Sequence, residues 1–317
     1  MSDVLKTLSV IVPCYNEEES LPRFYEAICA AADDLKELEF ELLFVDDGSR
    51  DGTLNVLKSL RAKDGRVRYL SFSRNFGKEA ALLAGFEHCT GDLVTVMDAD
   101  LQDPPALLRT MYEGIANDGY DIVATRRSTR KGEPPVRSAF AHCFYWLINR
   151  MSTADIVDGA RDFRMMRRRV RDAILSMGEY NRFSKGIFGW VGFKTKWLSY
   201  ENIERVAGST KFSFWKLFKY SLEGILAFTT APLALSLIVG FVLIVAAIIT
   251  LIALGIHAGA SGAGFSAVGG VCSLIMGMSG LQLIGIGIVG QYLGKLYLEG
   301  KRRPVYILRE TEDGLVK

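Results

Sequence analysis

The sequence predicts an α/β chain: a Rossmann-like domain of alternating strands and helices, followed by an interfacial helix and a pair of membrane helices. Three observations carry that prediction. Short β-branched runs alternate with helix-length amphipathic stretches over residues 8–125. Three of the runs end in clusters of polar or acidic residues, the sharpest being Asp98-Ala99-Asp100 after Leu93-Val94-Thr95-Val96-Met97. Between Glu223 and Lys295 there is no Asp, Glu, Lys or Arg, a span more than twice the roughly 20 residues that cross a bilayer as one helix.

Strands are predicted at 8–12, 40–45, 67–72, 93–97 and 121–124, with helices at 18–32, 53–62, 78–88 and 104–116 between them. Pro104 and Pro105 suit a first helical turn. Over 126–207 the segments become longer and more basic, with a helix expected at 136–151, a loop at 155–162, a helix at 167–177 and a short strand at 193–199. Residues 211–222 interleave Phe212, Trp215, Leu217, Phe218 and Leu222 with Lys211, Lys216 and Lys219, the pattern of a helix lying in a membrane interface. The charge-free stretch is split by the Gly/Ala/Ser run at 258–264 into spans within 226–256 and 266–292. The domain scheme is therefore 1–207, 208–223, 224–296 and 297–317, with the tail after Arg309 expected to be loose.

Lys211, Lys216 and Lys219 precede the first span, and Lys295, Lys301, Arg302 and Arg303 follow the second. The loop between carries no base, so both termini and the first domain are expected on the cytoplasmic side, with no cleaved leader. Cys14, Cys29, Cys89, Cys143 and Cys272 are odd in number and scattered, which argues against a disulfide framework or a zinc site. A net charge of +2 gives no reason to expect a nucleic-acid partner. Glycines at 277, 280, 285, 287, 290 and 294 would permit close helix contact in a homo-oligomer.

Two carboxylates at the carboxyl edge of a parallel sheet are hard oxygen ligands where open α/β folds bind their ligands, so Asp98 and Asp100 are candidate ligands for Mg2+ or Mn2+ holding a diphosphate. No Walker pattern offers another phosphate cradle, and the one Gly-x-Gly-x-x-Gly, at 285–290, lies within the charge-free apolar stretch and not between a strand and a helix. The second acidic strand end, Asp46-Asp47-Gly48-Ser49, can supply an acceptor for a nucleobase N–H. Spacing excludes a glycosidase, whose carboxyls stand about 5 to 9.5 Å apart across the bond, because aspartates at i and i+2 suit one shared cation.

Together, Val12-Pro13-Cys14-Tyr15-Asn16-Glu17, Val45-Asp46-Asp47-Gly48-Ser49, Arg74-Asn75-Phe76-Gly77-Lys78, Met97-Asp98-Ala99-Asp100-Leu101-Gln102-Asp103-Pro104 and Asp162-Phe163-Arg164 resemble family 2 glycosyltransferases of the polyprenyl-phosphate hexosyltransferase type. Bacterial bactoprenol glucosyltransferases are nearest in pattern, and dolichol-phosphate mannosyltransferases lie further off. The resemblance implies a GT-A fold in the bacterial inner membrane, using a nucleoside-diphosphate sugar, with UDP-glucose favoured, and a polyprenyl phosphate acceptor. It places Pro13, Tyr15, Glu17 and Asp46 at base and ribose, Asp47, Arg74, Lys78 and Gln102 near the donor, and Asp98 and Asp100 at the metal. Asp162 is implied as the base or acceptor-positioning residue, with Asp158 in reserve. The family's pattern has glycine before that aspartate, where this chain has Arg161. Arg126, Arg137, Ser138 and Arg164 are candidates for the acceptor phosphate. The Gln-x-x-Arg-Trp pattern of processive synthases is absent. An inactive membrane-anchored scaffold is the alternative from another class.

Overall fold

The computed structural model describes residues 5–127, 157, 159–200, 238–243, 245, 248, 249, 252, 256 and 267–316. The chain divides into two units, Met1–Gly224 with Pro304–Lys317, and Ile225–Arg303.

The first unit is built on a mixed sheet. Its strands are β1 (Thr7–Cys14), β2 (Glu39–Asp46), β3 (Val67–Phe72), β4 (Leu93–Val96), β5 (Ile122–Arg127), β6 (Ala160–Arg167), β7 (Thr195–Tyr200), β8 (Leu308–Thr311) and β9 (Gly314–Leu315). They lie in the order β7-β5-β6-β4-β1-β2-β3-β8-β9. The helices are α1 (Leu21–Asp34), α2 (Thr53–Lys63), α3 (Lys78–His88), α4 (Leu107–Ala116), α5 (Arg168–Ser176) and α6 (Ser184–Trp190). Runs such as Val10-Ile11-Val12 and Leu42-Leu43-Phe44-Val45 are wholly buried, because helices cover both faces of the parallel core. Leu21, Phe24, Ile28 and Ala32 recur at helical spacing on α1, and Phe24 meets Phe44 edge to face with ring centroids 6.1 Å apart. On the other face α3 is buried from Ala80 to Phe86. Its Gly85 lies so close to β1 that a Cβ there would stand 2.2 Å from Ile11 Cγ2. That close seating fixes the start of α3, and with it Lys78, at the sheet edge.

The five expected strands correspond to β1 through β5. Two expectations need correction. The predicted loop at 155–162 gives way to β6, which starts at Ala160 and runs antiparallel between β4 and β5. Its alternating Arg, Phe and Met residues obscure the apolar signal, since Arg164 is buried along with Phe163, Met165 and Met166. The tail is not loose. β8 pairs antiparallel with β3 and β9 folds back on β8. Its acidic side chains meet a basic rim, Glu310 with Lys58 at 2.7 Å and Glu312 with Arg68 at 2.6 Å, while Tyr306 stacks on Phe72 at 4.9 Å and 16°.

In the second unit, α7 (Ala267–Gly300) holds one stretch, Gly277–Gly300, that is long and apolar enough to cross a membrane, with a mean hydropathy of 1.2. It is the one such helix among the described residues. Leu283, Ile284, Ile286, Val289, Leu293 and Leu296 are all exposed, and a helix apolar all round needs a bilayer or partner helices around it. α7 continues past the expected end at 292 to Gly300, carrying Lys295 and Glu299 on its last turns. Of the expected first span, the described residues within 238–256 are helical, and Ile238, Phe241, Ile249 and Ile256 are exposed. The expected helices at 136–151 and 211–222 lie outside the described residues.

Candidate active site

Strand direction decides which side chains meet. β1, β2 and β4 are parallel, so Tyr15, Asp46 and Asp98 emerge at one edge of the sheet. The strand order reverses at β1, which has β2 on one side and β4 on the other, the kind of switch point that opens a crevice in α/β sheets. β6 runs the opposite way, so its beginning, not its end, arrives at this edge. Val96 pairs with Arg164, and continuing that register by two residues brings Asp162 opposite Asp98. Lys78, in the first turn of α3, reaches between them: its Nζ is 2.7 Å from Asp98 Oδ1 and 2.7 Å from Asp162 Oδ2.

The charges reinforce one another. Burial disfavours the Lys78 ammonium, but Asp162 and Asp98 outweigh it and hold the group protonated well above its ordinary range. Burial likewise opposes ionisation of Asp162, and Lys78, Lys185 and Arg164 overcome it, keeping the carboxyl below the usual carboxylate range. Two carboxylates from different strands already grip one cation here.

Three loops form the neighbouring wall. Asp46 is fully buried and accepts hydrogen bonds from Ser71 Oγ at 2.8 Å and Ser49 N at 3.0 Å. Asp47 turns the other way, toward the segment 74–78. It accepts from Phe76 N at 2.6 Å, Gly77 N at 2.9 Å and Asn75 Nδ2 at 2.9 Å. Burial nonetheless pushes its carboxyl up to about 6, against those backbone donors. Asp47, expected at the donor, clamps the loop that carries Arg74 and Lys78. Gly48, at φ +66°, lies under that loop, and a Cβ there would stand 2.4 Å from the Arg74 carbonyl carbon. Arg74 is exposed and folds over Phe76, 4.0 Å from the ring centroid. Pro13 pairs with Val45 and Cys14 closes β1 opposite Asp46, and the half-buried Tyr15 follows. Asn16 N donates to Ser49 Oγ and Glu17 N to Thr53 Oγ1, which knits the first loop to the second.

Beyond Asp98 the backbone turns sharply. Leu101 has φ +57°, a left-handed conformation costing a bulky residue about 1 kcal/mol or more. Asp100 Oδ1 accepts from Gln102 N at 3.2 Å. Asp103 points inward, 1% exposed. Its Oδ1 accepts from Tyr200 Oη at 2.6 Å and from Arg161 Nε at 3.2 Å, and Arg161 Nη2 reaches Gln102 Oε1 at 3.4 Å. Arg161 therefore braces the Asp-Ala-Asp turn from β6.

The acceptor candidates separate. Arg126 is exposed at the end of β5, donating to Ser199 Oγ at 3.0 Å. Arg164 is not presented to solvent. It is 3% exposed, donates to the Arg161 carbonyl at 2.8 Å and stacks on Phe188 at 3.7 Å. Burial lowers its guanidinium to about 10, so it keeps its charge at neutral pH. Its Nε finds no hydrogen-bond partner among the described residues. Arg137, Ser138 and Asp158 lie outside the described residues. Asp103, Tyr200 and Phe188 carried no role in the sequence reading. The first stands in the motif Met97–Pro104 without a role of its own, and the other two had no signal.

No group of three or more His, Cys, Asp or Glu side chains among the described residues is placed to enclose a metal ion. The residues nonetheless fit Mg2+ or Mn2+. Such ions take one or two protein carboxylates and complete their shell with phosphate oxygens and water, and Asp98 and Asp162 already bind a cation between them.

The pattern described as glycosyl transferase family 2 matches residues 9–175. Similar proteins include CsbB of Bacillus subtilis (strain 168), named as a glycosyltransferase, 41% identical over 96% of this chain and 92% of its own length. The prophage bactoprenol glucosyl transferase homolog of Escherichia coli (strain K12) is 40% identical over 96% of this chain and 99% of its own. The bactoprenol glucosyl transferase of Shigella phage SfII is 41% identical over 97% and 99%.

Proposed function

The chain belongs to glycosyl transferase family 2, and from that premise we propose that it transfers a hexose, with inversion, from a nucleoside-diphosphate sugar to a polyprenyl phosphate. UDP-glucose is the favoured donor. The product is a lipid-linked sugar for cell-envelope glycosylation. The observation that carries the reading is the charged cluster at the switch point of the sheet, where Asp98 and Asp162 converge on one cation beside the Asp46 loop. The relatives named bactoprenol glucosyl transferase support the acceptor, and the polar loops after β1 and β2 support a GT-A nucleotide site.

The chemistry asks little of a base. A phosphate monoester has a second pKa near about 6, so the lipid phosphate is already mostly a dianion at neutral pH. One of its oxygens attacks the anomeric carbon while the bond to the nucleoside diphosphate breaks, and a single in-line displacement inverts the centre. The harder task is to hold two anions together and stabilise the leaving diphosphate. Asp98 and Asp100 would hold Mg2+ or Mn2+, which would supply positive charge at the leaving oxygens. Lys78 and Arg74 add fixed positive charge on the donor side, and Arg126 on the acceptor side. Asp162 keeps Lys78 in place, and Arg164 supports the Asp162 strand from beneath.

Topology supports the membrane arrangement. β8 pairs with β3 in one sheet, so residues on either side of 225–303 share a compartment. Any crossing between them must be made an even number of times, and two spans are the smallest such number. The flanking bases then put that compartment in the cytoplasm, with a polyprenyl phosphate of the inner leaflet as acceptor.

The test is transfer of labelled glucose from UDP-glucose to polyprenyl phosphate by the detergent-solubilised chain, with and without chelator. Metal-dependent label in the lipid fraction is expected, and Asp98→Asn should remove it. Label arriving only from N-acetylhexosamine, mannose or pentose donors would replace the sugar and keep the chemistry. No transfer from any donor, with a folded protein, would leave the scaffold reading.

A further inference from the structure

The tail that follows α7 in sequence brings one aromatic ring to the carboxyl edge of the sheet. Ser73 N donates to the Ile307 carbonyl at 2.9 Å, which carries the pairing past the end of β3 and sets Tyr306 against Phe72. The two rings stack at 4.9 Å and 16°. Tyr306 is tied a second time by its hydroxyl, which donates to Glu87 in the last turn of α3. Burial and that carboxylate hold the phenol protonated far above its ordinary range, so it remains a donor.

Phe72 passes the contact on. Its side chain is fully buried, and it meets Phe76 edge to face, with ring centroids 5.7 Å apart and planes at 89°. Phe76 is held in turn by its backbone N–H, which donates to Asp47 at 2.6 Å, and its ring carries the Arg74 guanidinium 4.0 Å from the centroid. The row Tyr306, Phe72, Phe76 and Arg74 thus runs from an ordered tail to a cation. Arg74 is exposed, where a ligand can reach it.

A free arginine side chain loses much rotamer freedom when it grips an anion, and one already laid on a ring has less to lose. Arg74 Nη1 also donates to the Asn75 carbonyl at 2.9 Å, which fixes the turn of the guanidinium about its own axis. The rest of the fork keeps one plane, as bidentate contact with phosphate oxygens requires.

We propose that Tyr306 is a positioning residue of the donor site: through Phe72 and Phe76 it holds the Arg74 guanidinium ready for the phosphate oxygens of a nucleoside diphosphate. This rests on the reading of Arg74 as a donor contact. The strand that follows the membrane segment in sequence then serves the donor site, although none of its own side chains is assigned to the ligand.

The experiment is calorimetric titration of the full-length chain in detergent with uridine diphosphate and Mn2+, with thermal unfolding followed in parallel. Arg74→Ala should weaken binding about tenfold, the scale of one charge-assisted hydrogen bond. Tyr306→Ala should weaken it about three- to fivefold, and Tyr306→Phe, which keeps the ring and gives up the bond to Glu87, should stay within about twofold of the wild type. Should the alanine variant fail to fold, Tyr306→Leu keeps the apolar bulk without the flat ring and is expected to show the same loss. The deciding measurement is the pair. In an Arg74→Ala background, Tyr306→Ala should add almost nothing, because no guanidinium remains for the rings to position, whereas a generally loosened tail would weaken binding equally in both backgrounds. Equal losses in the two backgrounds, or full affinity in a folded Tyr306→Ala alongside a loss in Arg74→Ala, would overturn the role of Tyr306 and keep Arg74 at the donor. Full affinity in Arg74→Ala, or no binding by the wild type, would remove the donor reading of Arg74 and this inference with it.

Discussion

Asp98 and Asp162 come from strands that run in opposite directions, yet each places a carboxylate oxygen 2.7 Å from the same ammonium nitrogen, that of Lys78. An ordered cation between two carboxylates removes their mutual repulsion before any substrate arrives. Lys78→Met should expose that repulsion. Because the Lys78 side chain is 42% exposed, each lost pair is worth about 1 kcal/mol at most, and the melting midpoint in chelator should fall by roughly 2–6 °C. Titrated Mn2+ should then raise the midpoint more in the variant than in the wild type. Equal responses to Mn2+ in the two proteins would show that the carboxylates do not share a cation site.

Arg161 stands where the family pattern has glycine, and its guanidinium compensates the buried Asp103. Burial raises Asp103 and Arg161 lowers it, so removing the cation leaves a buried carboxyl held by the Tyr200 hydroxyl. Arg161→Met should cost about 2–4 kcal/mol of stability in urea unfolding, and adding Asp103→Asn should recover at least half. Additive costs in the double variant would mean that the two side chains are not coupled.

The sheet was legible where apolar runs are unbroken, as in Val10-Ile11-Val12 and Leu93-Val94-Thr95-Val96, since buried parallel strands need no polar face. β6 was hidden because charge usually marks the surface, and here Arg164 enters the interior and rests on Phe188. β8 was hidden for a related reason. Glu310 and Glu312 look like a solvated tail until Lys58 and Arg68, more than two hundred residues earlier, are brought beside them. Of the site, Asp46 and Asp98 could be read because each ends an apolar strand. The Lys78 bridge and the clamp formed by Asp47 depend on contacts between distant segments, which no local pattern encodes.

The Asp47 clamp carries a pH signature. Burial raises its folded carboxyl from the ordinary 3.8 to about 6. A raised acid binds protons more readily folded than unfolded, so it favours folding below the unfolded value and loses that contribution as pH climbs through the folded one. Relative to Asp47→Asn, the wild type should lose stability at up to about 1.4 kcal/mol per pH unit between roughly pH 4 and 6, and the difference should be flat above that window. A difference that is flat from pH 4 to 7 would place the carboxyl at its ordinary value.

Gly48 sets how near the Arg74 loop can approach the Asp46 turn. Its φ of +66° excludes most side chains, and a Cβ would meet backbone at 2.4 Å with no flexible group to give way. Gly48→Ala should therefore lift the 74–78 segment and cost about 1–3 kcal/mol of stability. The displacement moves Arg74 and Lys78 together, the two cations assigned to the donor. Apparent affinity for the nucleotide sugar should fall about tenfold or more, while binding of polyprenyl phosphate, which the same loop does not contact in the proposed arrangement, changes little. Equal losses for donor and acceptor would indicate that the loop serves both halves of the site, and full donor affinity would show that the close approach of Gly48 to Arg74 is not needed for binding.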